Sequence, residues 1–375
     1  MDALKRVEVL VPIAATAGAA WGTAWAGVST AVVLLPCWGA PTSRRDAALV
    51  AFAYYMGGAR EMPAAVEAYY RVGFLEGVLG TLLGASLLTL PWAALWTAPS
   101  SPRGVRVTRA AGALLLVTLP PFGLVGVCNP VAVAGTLLPG LGWASVLMTL
   151  ALLSAASTSP RAAAALVIVA MASHHLGAAP ASADWRAVDT EIRSVPAPRD
   201  YAAQFERAVG TLALLDDELG RGTGAHLVLP ETAGGSWTRA MHGVWEPLID
   251  RLRAEGRCLI LGVLDPQDDY ANGVRAVGAC DGALRQRVPL PGAQAPRLRA
   301  DGYLVVDGKR VGVLICFESH LAWPVLQSAA ANPSALLVLA NLRPIRATRA
   351  ETAQRVVMTS WARAFDLPLH IATNR

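Results

Sequence analysis

The pattern of apolar and polar positions changes character near residue 180. Before that point, long runs of Ala, Leu, Val and Gly are interrupted by short charged loops. Five of these runs, residues 8–36, 72–97, 108–128, 131–156 and 162–180, are long enough to cross a hydrocarbon core of about 30 Å, which takes roughly 20 helical residues. The shorter run 47–58 reads as an interfacial or re-entrant piece. Beyond residue 183, short β-branched runs alternate with amphipathic stretches. They predict strand 189–195, helix 199–219, strand 225–230, helix 237–255, and strands 257–264, 273–280, 283–289, 302–307 and 310–316. Helix 320–331, strand 335–340, helix 347–365 and strand 368–373 follow. Such an order requires a sheet with helices packed on its faces. The expected architecture is an N-terminal α-helical transmembrane domain, residues 1–182, and a C-terminal α/β domain, residues 183–375, with the boundary near Ala178–Ser182.

Composition supports the division. Of the 375 residues 54% are hydrophobic and only 16% charged, an excess wrong for an ordinary soluble protein. Lys5, Arg6, Arg103, Arg106, Arg109 and Arg161 fall on one side of a five-span arrangement, which the positive-inside rule makes cytoplasmic. Arg44, Arg45, Arg60 and Arg71 oppose it, but share their loop with Asp46, Glu61 and Glu67. An odd number of spans delivers the second domain to the outer face of a bacterial inner membrane. The net charge of +5 is dispersed and lacks interleaved aromatics, so it reads as topology and headgroup attraction rather than nucleic-acid binding. No phosphate loop, cofactor motif or metal-ligand spacing is present, and the adjacent His174 and His175 read as interfacial. Glu76, inside the second span, reads as a snorkelling or protonated carboxyl near the outer interface.

Two strand ends carry candidate chemistry. The run from Val311 to Ile315 leads into Cys316, Phe317 and Glu318, and Leu227–Leu229 leads into Pro230 and Glu231. A thiol with a reference pKa of about 8.5 needs a neighbouring base or positive charge to attack an acyl carbon, and Glu231 is the candidate base. A buried, inert cysteine is the competing reading, and the commonest fate of Cys in an aliphatic run.

The segments Pro230–Ala233, Ile315–Glu318, Arg363–Ala364 and Ala372–Asn374, in that order, resemble the successive signatures of the carbon–nitrogen hydrolase (nitrilase) superfamily. Together with Pro120–Gly123 and Asn129–Pro130 in the apolar half, they resemble its membrane-attached branch, which includes apolipoprotein N-acyltransferase and, closer still, the TraB family of conjugal plasmids. The resemblance implies a nitrilase-like α-β-β-α sandwich, with a catalytic Glu231 and Cys316, an oxyanion held by the backbone N–H of Phe317, and a supporting Glu318. It also implies a lysine before a Val-Pro pair, where this chain has Leu284–Pro289. Arg285, or less readily Arg287, stands in that place. The only two lysines are Lys5 and Lys309, and Lys309 lies in a predicted hairpin turn where solvation is the usual fate.

The implied function is cysteine acyl-enzyme chemistry of amidase or N-acyltransferase type in support of conjugal transfer. Its expected partners are membrane phospholipid and a lipoprotein or conjugation-machinery protein. A true apolipoprotein N-acyltransferase and a catalytically degenerate envelope scaffold are the alternatives. Cys258 and Cys280 sit on neighbouring predicted strands, where a disulfide and two free buried thiols are both open.

Overall fold

The computed structural model describes residues 7–180, 182–192, 200–221 and 226–375. The charges of Lys5 and Arg6 and the last part of the expected strand 189–195 lie outside the described residues. By their contacts the residues form two compact units. The first comprises Met1–Pro180, His320–Trp323 and Pro344–Asp366, and the second Ala181–Ser319, Pro324–Arg343 and Leu367–Arg375.

Among the described residues of the second unit, nine strands form two sheets. One has the order β1 (Trp185–Ala187), β2 (His226–Val228), β3 (Cys258–Asp265), β4 (Ala271–Gly278) and β5 (Gly282–Arg285). The other runs β6 (Tyr303–Val306), β7 (Lys309–Ile315), β8 (Leu336–Asn341) and β9 (Leu369–Asn374). Strands β1, β2 and β3 are parallel, as are β7, β8 and β9, whereas β4, β5 and β6 join by antiparallel pairing. Both sheets are thus mixed, and helices cover them.

The side chains explain the layering. In β3 residues Cys258 to Leu264 are buried on both faces, as a central strand between two apolar layers must be. Leu259, Leu261 and Val263 pack with Trp245, Leu248 and Leu252 of helix Arg239–Ala254 and Leu215 and Leu219 of helix Tyr201–Arg221. Cys258 and Ile260, pointing the other way, pack with Val311, Val313, Ile315, Leu337 and Leu339 of the second sheet. The outer side of that sheet meets the helix containing Ser328, whose hydroxyl donates to the Gly302 carbonyl at 3.0 Å.

The expected strand 189–195 is displaced. The edge strand forms earlier, at Trp185–Ala187, and residues 190–192 instead hydrogen-bond the end of β9 through Thr190 and Ile192. Cys258 and Cys280 form a disulfide with Cα atoms 5.5 Å apart. The pairing of Cys258 with Gly278 across β3 and β4 explains it, because Cys280 follows two residues beyond that partner.

The first unit is helical, but its helices are shorter than the apolar runs that contain them. Only Phe74–Leu95, of 22 residues, is long and apolar enough to cross a membrane among the described residues. The run 8–36 contains helix Val7–Ala20, then Gly22 and Gly27 at positive φ, and a 3-10 turn at Ser29–Val33. Gly140 and Gly142, also at positive φ, interrupt 131–156 and leave helix Trp143–Ala156. Pro120 and Pro121 follow the end of helix Arg103–Thr118. Composition alone registers apolar length; glycine and proline decide where the helix stops.

Helix Arg44–Gly58, the run read as interfacial, packs on Val7–Ala20, where a side chain at Gly18 or Gly57 would strike the other helix's backbone. Small residues permit that approach. Helix Ala350–Phe365 also belongs to this unit, held by the Ser360 hydroxyl on the Ala132 carbonyl at 2.6 Å. Glu76 is exposed in the first turn of its helix, the end where the dipole favours a carboxylate.

The disulfide sets an expectation for thiol chemistry. Alkylation of the denatured, unreduced protein should label Cys37, Cys128 and Cys316. Label on Cys258 or Cys280 would show that the bridge does not form.

Candidate active site

Both expected reactive residues lie at the carboxyl ends of parallel strands. Beyond β2 the chain turns at Pro230–Ala233, with Thr232 at a φ of 59°. Gly262 of β3 makes room for it, since a side chain there would meet the Glu231 Cα at 2.5 Å. Beyond β7, Cys316 takes a φ of 48° and opens a tight 3-10 turn. Left-handed backbone at a residue other than glycine is strained and is concentrated at functional sites.

The two turns bring the Glu231 carboxyl and the Cys316 thiol close enough for each to shift the other's proton affinity. Glu231 is 5% exposed. Its Oε1 accepts from Asn272 Nδ2 at 2.7 Å and its Oε2 from the Asn341 backbone N–H at 3.0 Å. The backbone amides of Asn341 and Phe317 act on the Cys316 thiol in the direction that lowers its proton affinity. Asn341 ends β8 directly opposite Asn374 of β9, whose amide donates to the Asn341 side-chain oxygen at 3.0 Å. The Ala372–Asn374 segment therefore fixes the residue whose backbone N–H meets Glu231.

Burial governs the electrostatics. It raises the Glu231 carboxyl from its ordinary value of 4.5 to about 7, against the hydrogen bonds from Cys316 and Asn341, with Glu318 adding to the rise. Burial and then the Glu231 charge hold the Cys316 thiol well above its ordinary range. At neutral pH the pair thus holds a protonated thiol beside a carboxyl near half-ionised.

Glu318 lies beneath the site, fully buried. Its Oε2 accepts from the Ile315 N–H at 3.0 Å, and its Oε1 accepts from the N–H groups of Arg287 and Val288, the latter at 3.0 Å. The Arg287 guanidinium pairs with it at 3.3 Å and also donates to the Val313 and Pro324 carbonyls. Arg287 is a structural cation inside the core.

Arg285 is not brought to the pair. Its guanidinium meets Asp268 at 3.1 Å and Asp265 at 3.6 Å, 40% exposed. Arg285 closes β5 with its side chain turned to those two aspartates, and the next residue, Gln286, is the one that turns inward. Its Nε2 donates to the Ile315 carbonyl at 3.0 Å, and its Oε1 accepts from Asn272 at 3.3 Å. Asn272 and Gln286 are the site residues that sequence reasoning missed. The register of β4 against β5 was the signal that could have found them.

Lys309 opens β7, seven residues before Cys316, and lines a cavity of about 220 Å3 with Trp185, His226 and Asp307. That places it at the opposite strand ends. Arg363 belongs to the first unit and donates to the Ser173 carbonyl and hydroxyl at 2.8 and 2.7 Å.

No protein-family model matches the chain. It is 28% identical over 357 residues to a probable conjugal transfer protein TraB of Sinorhizobium fredii, covering 90% of each chain. It is 29% identical over 403 residues to conjugal transfer protein TraB of Agrobacterium fabrum, covering 98% of this chain and 93% of the relative. Among solved structures, two forms of an amidase from Nesterenkonia sp. AN1, described as from the nitrilase superfamily, match 44% of this chain and 68% of theirs. Their identities are 16% and 15%, with TM-scores of 0.31 and 0.29. The chain is thus similar to TraB conjugal transfer proteins across nine-tenths or more of its length.

Two outcomes follow from the site. Below pH 4.5 Glu231 is protonated whether the chain is folded or not; between 4.5 and about 7 only the folded chain retains the proton. The unfolded chain then binds fewer protons, so this group's contribution falls as pH rises through that window, by on the order of 3 kcal/mol. Glu231→Gln should flatten that decline in denaturant midpoint, and an unchanged pH slope would contradict the raised carboxyl. Glu318→Ala leaves Arg287 buried and unpaired and should cost about 3–5 kcal/mol, read by chemical denaturation; a loss below about 1 kcal/mol would show that the pair is not the brace described.

Proposed function

We propose that the protein is a TraB-type component of conjugal transfer whose second unit has a nitrilase-superfamily fold and performs cysteine acyl-enzyme chemistry. The observation that carries this reading is the Cys316 thiol set beside a buried Glu231 carboxyl that Asn272 and the Asn341 N–H hold in place. Glu231 takes the thiol proton as the sulfur attacks an acyl carbon. The Phe317 N–H faces the developing oxyanion, and the proton passes to the leaving group. Water or an amine then attacks the thioester, giving hydrolysis or N-acyl transfer.

We further propose that the first unit anchors the protein in the inner membrane and that the second lies on the outer face. Phe74, Leu75, Leu79 and Leu83 present exposed apolar side chains on the long helix, as a lipid-facing surface does. The Cys258–Cys280 bridge favours an oxidising compartment. Membrane phospholipid and an envelope lipoprotein or conjugation-machinery protein are the proposed partners. The scaffold reading is favoured by one observation, that Arg285 and Arg287 are paired with acids rather than with the site.

Conjugation frequency separates these readings. Cys316→Ala and Glu231→Gln should each abolish complementation of a traB-deleted plasmid while accumulating at the wild-type level. Full transfer by both variants would favour the scaffold. A periplasm-active reporter fused after Arg375 should be active, and one placed among Arg103–Arg109 silent; reversed signals would overturn the orientation.

A further inference from the structure

The buried face of helix Tyr201–Arg221 changes character along its length. Leu215 and Leu219 pack into the apolar core. Nearer the start, Gln204 and Arg207, three residues apart on one face, are polar side chains only 1% and 9% exposed. Both reach the turn that follows Glu231. Gln204 Oε1 accepts from the Ser236 N–H at 3.2 Å, and Arg207 Nη2 donates to the Thr232 carbonyl and, at 3.3 Å, to the Thr232 hydroxyl. Arg207 Nε and Nη1 are buried with no hydrogen-bond partner. Among the described residues no carboxylate pairs with this guanidinium, and burial lowers it from 12.5 to about 10. At neutral pH it is therefore a buried cation whose one contact is the residue after the base.

We propose that Arg207 is a positioning residue for Glu231, kept at a cost in stability, which pins the left-handed Thr232 and thereby fixes where the carboxyl stands against Cys316. The inference rests on Glu231 being the base of the proposed acyl chemistry. Thr232 follows Glu231 directly and holds a φ of 59°, a conformation that a β-branched residue resists. Its carbonyl and its hydroxyl both turn to Arg207, so the strained residue is held from another element. On its other side Glu231 is held by Asn272 and the Asn341 N–H, and a rotation at Thr232 would draw the carboxyl away from both. A buried cation with two idle N–H groups and no counter-charge weakens a fold. Replacing such a charge by an apolar side chain is neutral or stabilising, whereas a residue that only braced the fold would lose stability on removal. Stability measured beside reactivity therefore separates the two roles.

The test uses full-length protein in detergent with iodoacetamide, following alkylation of Cys316 by peptide mass spectrometry across a pH series, beside the thermal transition of each variant. In wild type the rate should rise through about pH 7 as Glu231 loses its proton, ahead of the thiol's own ionisation, and Glu231→Gln should remove that rise. Arg207→Met should unfold at the wild-type temperature or above it, yet react about 10²-fold more slowly at neutral pH, the scale of a misplaced catalytic group. Its remaining inflection should move down toward the ordinary 4.5, because water reaches the released carboxyl. Arg207→Lys keeps a donor for the Thr232 carbonyl and should recover most of the rate. A wild-type rate and pH profile in Arg207→Met would overturn the positioning role and leave Glu231 standing as the base. A lowered transition or failure to fold in that variant would make Arg207 a brace of the fold and overturn the inference as well. A rate in Glu231→Gln equal to wild type at every pH would overturn the base, and the inference with it.

Discussion

Buried beneath the turn that follows β7, the Glu318 carboxylate receives the N–H groups of Ile315, Arg287 and Val288 together with the Arg287 guanidinium. These donors belong to the two segments that the site requires to be fixed, one leading into Cys316 and one leaving Gln286. A buried carboxylate is stable only when its acceptors are filled and its charge is met. Satisfying Glu318 therefore holds the left-handed Cys316 and the backbone of Arg287 and Val288 in place. Just before them Gln286 turns toward Ile315 and Asn272, and Arg285 lies outside with Asp265 and Asp268.

A second constraint acts on Glu231. Its two oxygens are divided between Asn272 and the Asn341 backbone, and Asn341 is held by Asn374 across the β8–β9 register. Three strands thus converge on one carboxylate. Removal from water raises its proton affinity to near neutral pH. Position and acidity come from the same burial.

Strand-end polar residues were legible because an apolar run that stops at Glu231 or Cys316 has few places to go except a sheet edge. The alternating elements after residue 200 were legible for the same reason, and most agree with the observed strands to within a few positions. The third side of the site was not. Arg285 stood out by charge and by its place before Val288 and Pro289, while the pull of Asp265 and Asp268 decides its direction, and that acts through partners outside the motif. Gln286 and Asn272 carried no charge to attract notice. In the apolar half, hydropathy showed how much of the chain avoids water, but Gly22, Gly27, Gly140 and Gly142 at positive φ divide those runs into shorter helices. Pattern gives the extent of an apolar surface; local backbone chemistry gives its segmentation.

The central claim is that Cys316 carries an acyl group in the working protein. Its most direct test is peptide mass spectrometry of the chain isolated from conjugating cells under mild acid, which preserves thioesters. The account requires a hydroxylamine-labile acyl group on the peptide containing Cys316 in wild type, missing from Glu231→Gln. An unmodified Cys316 peptide, recovered intact from cells in which transfer is under way and unchanged when hydrolysis is slowed by cold quenching, would contradict it.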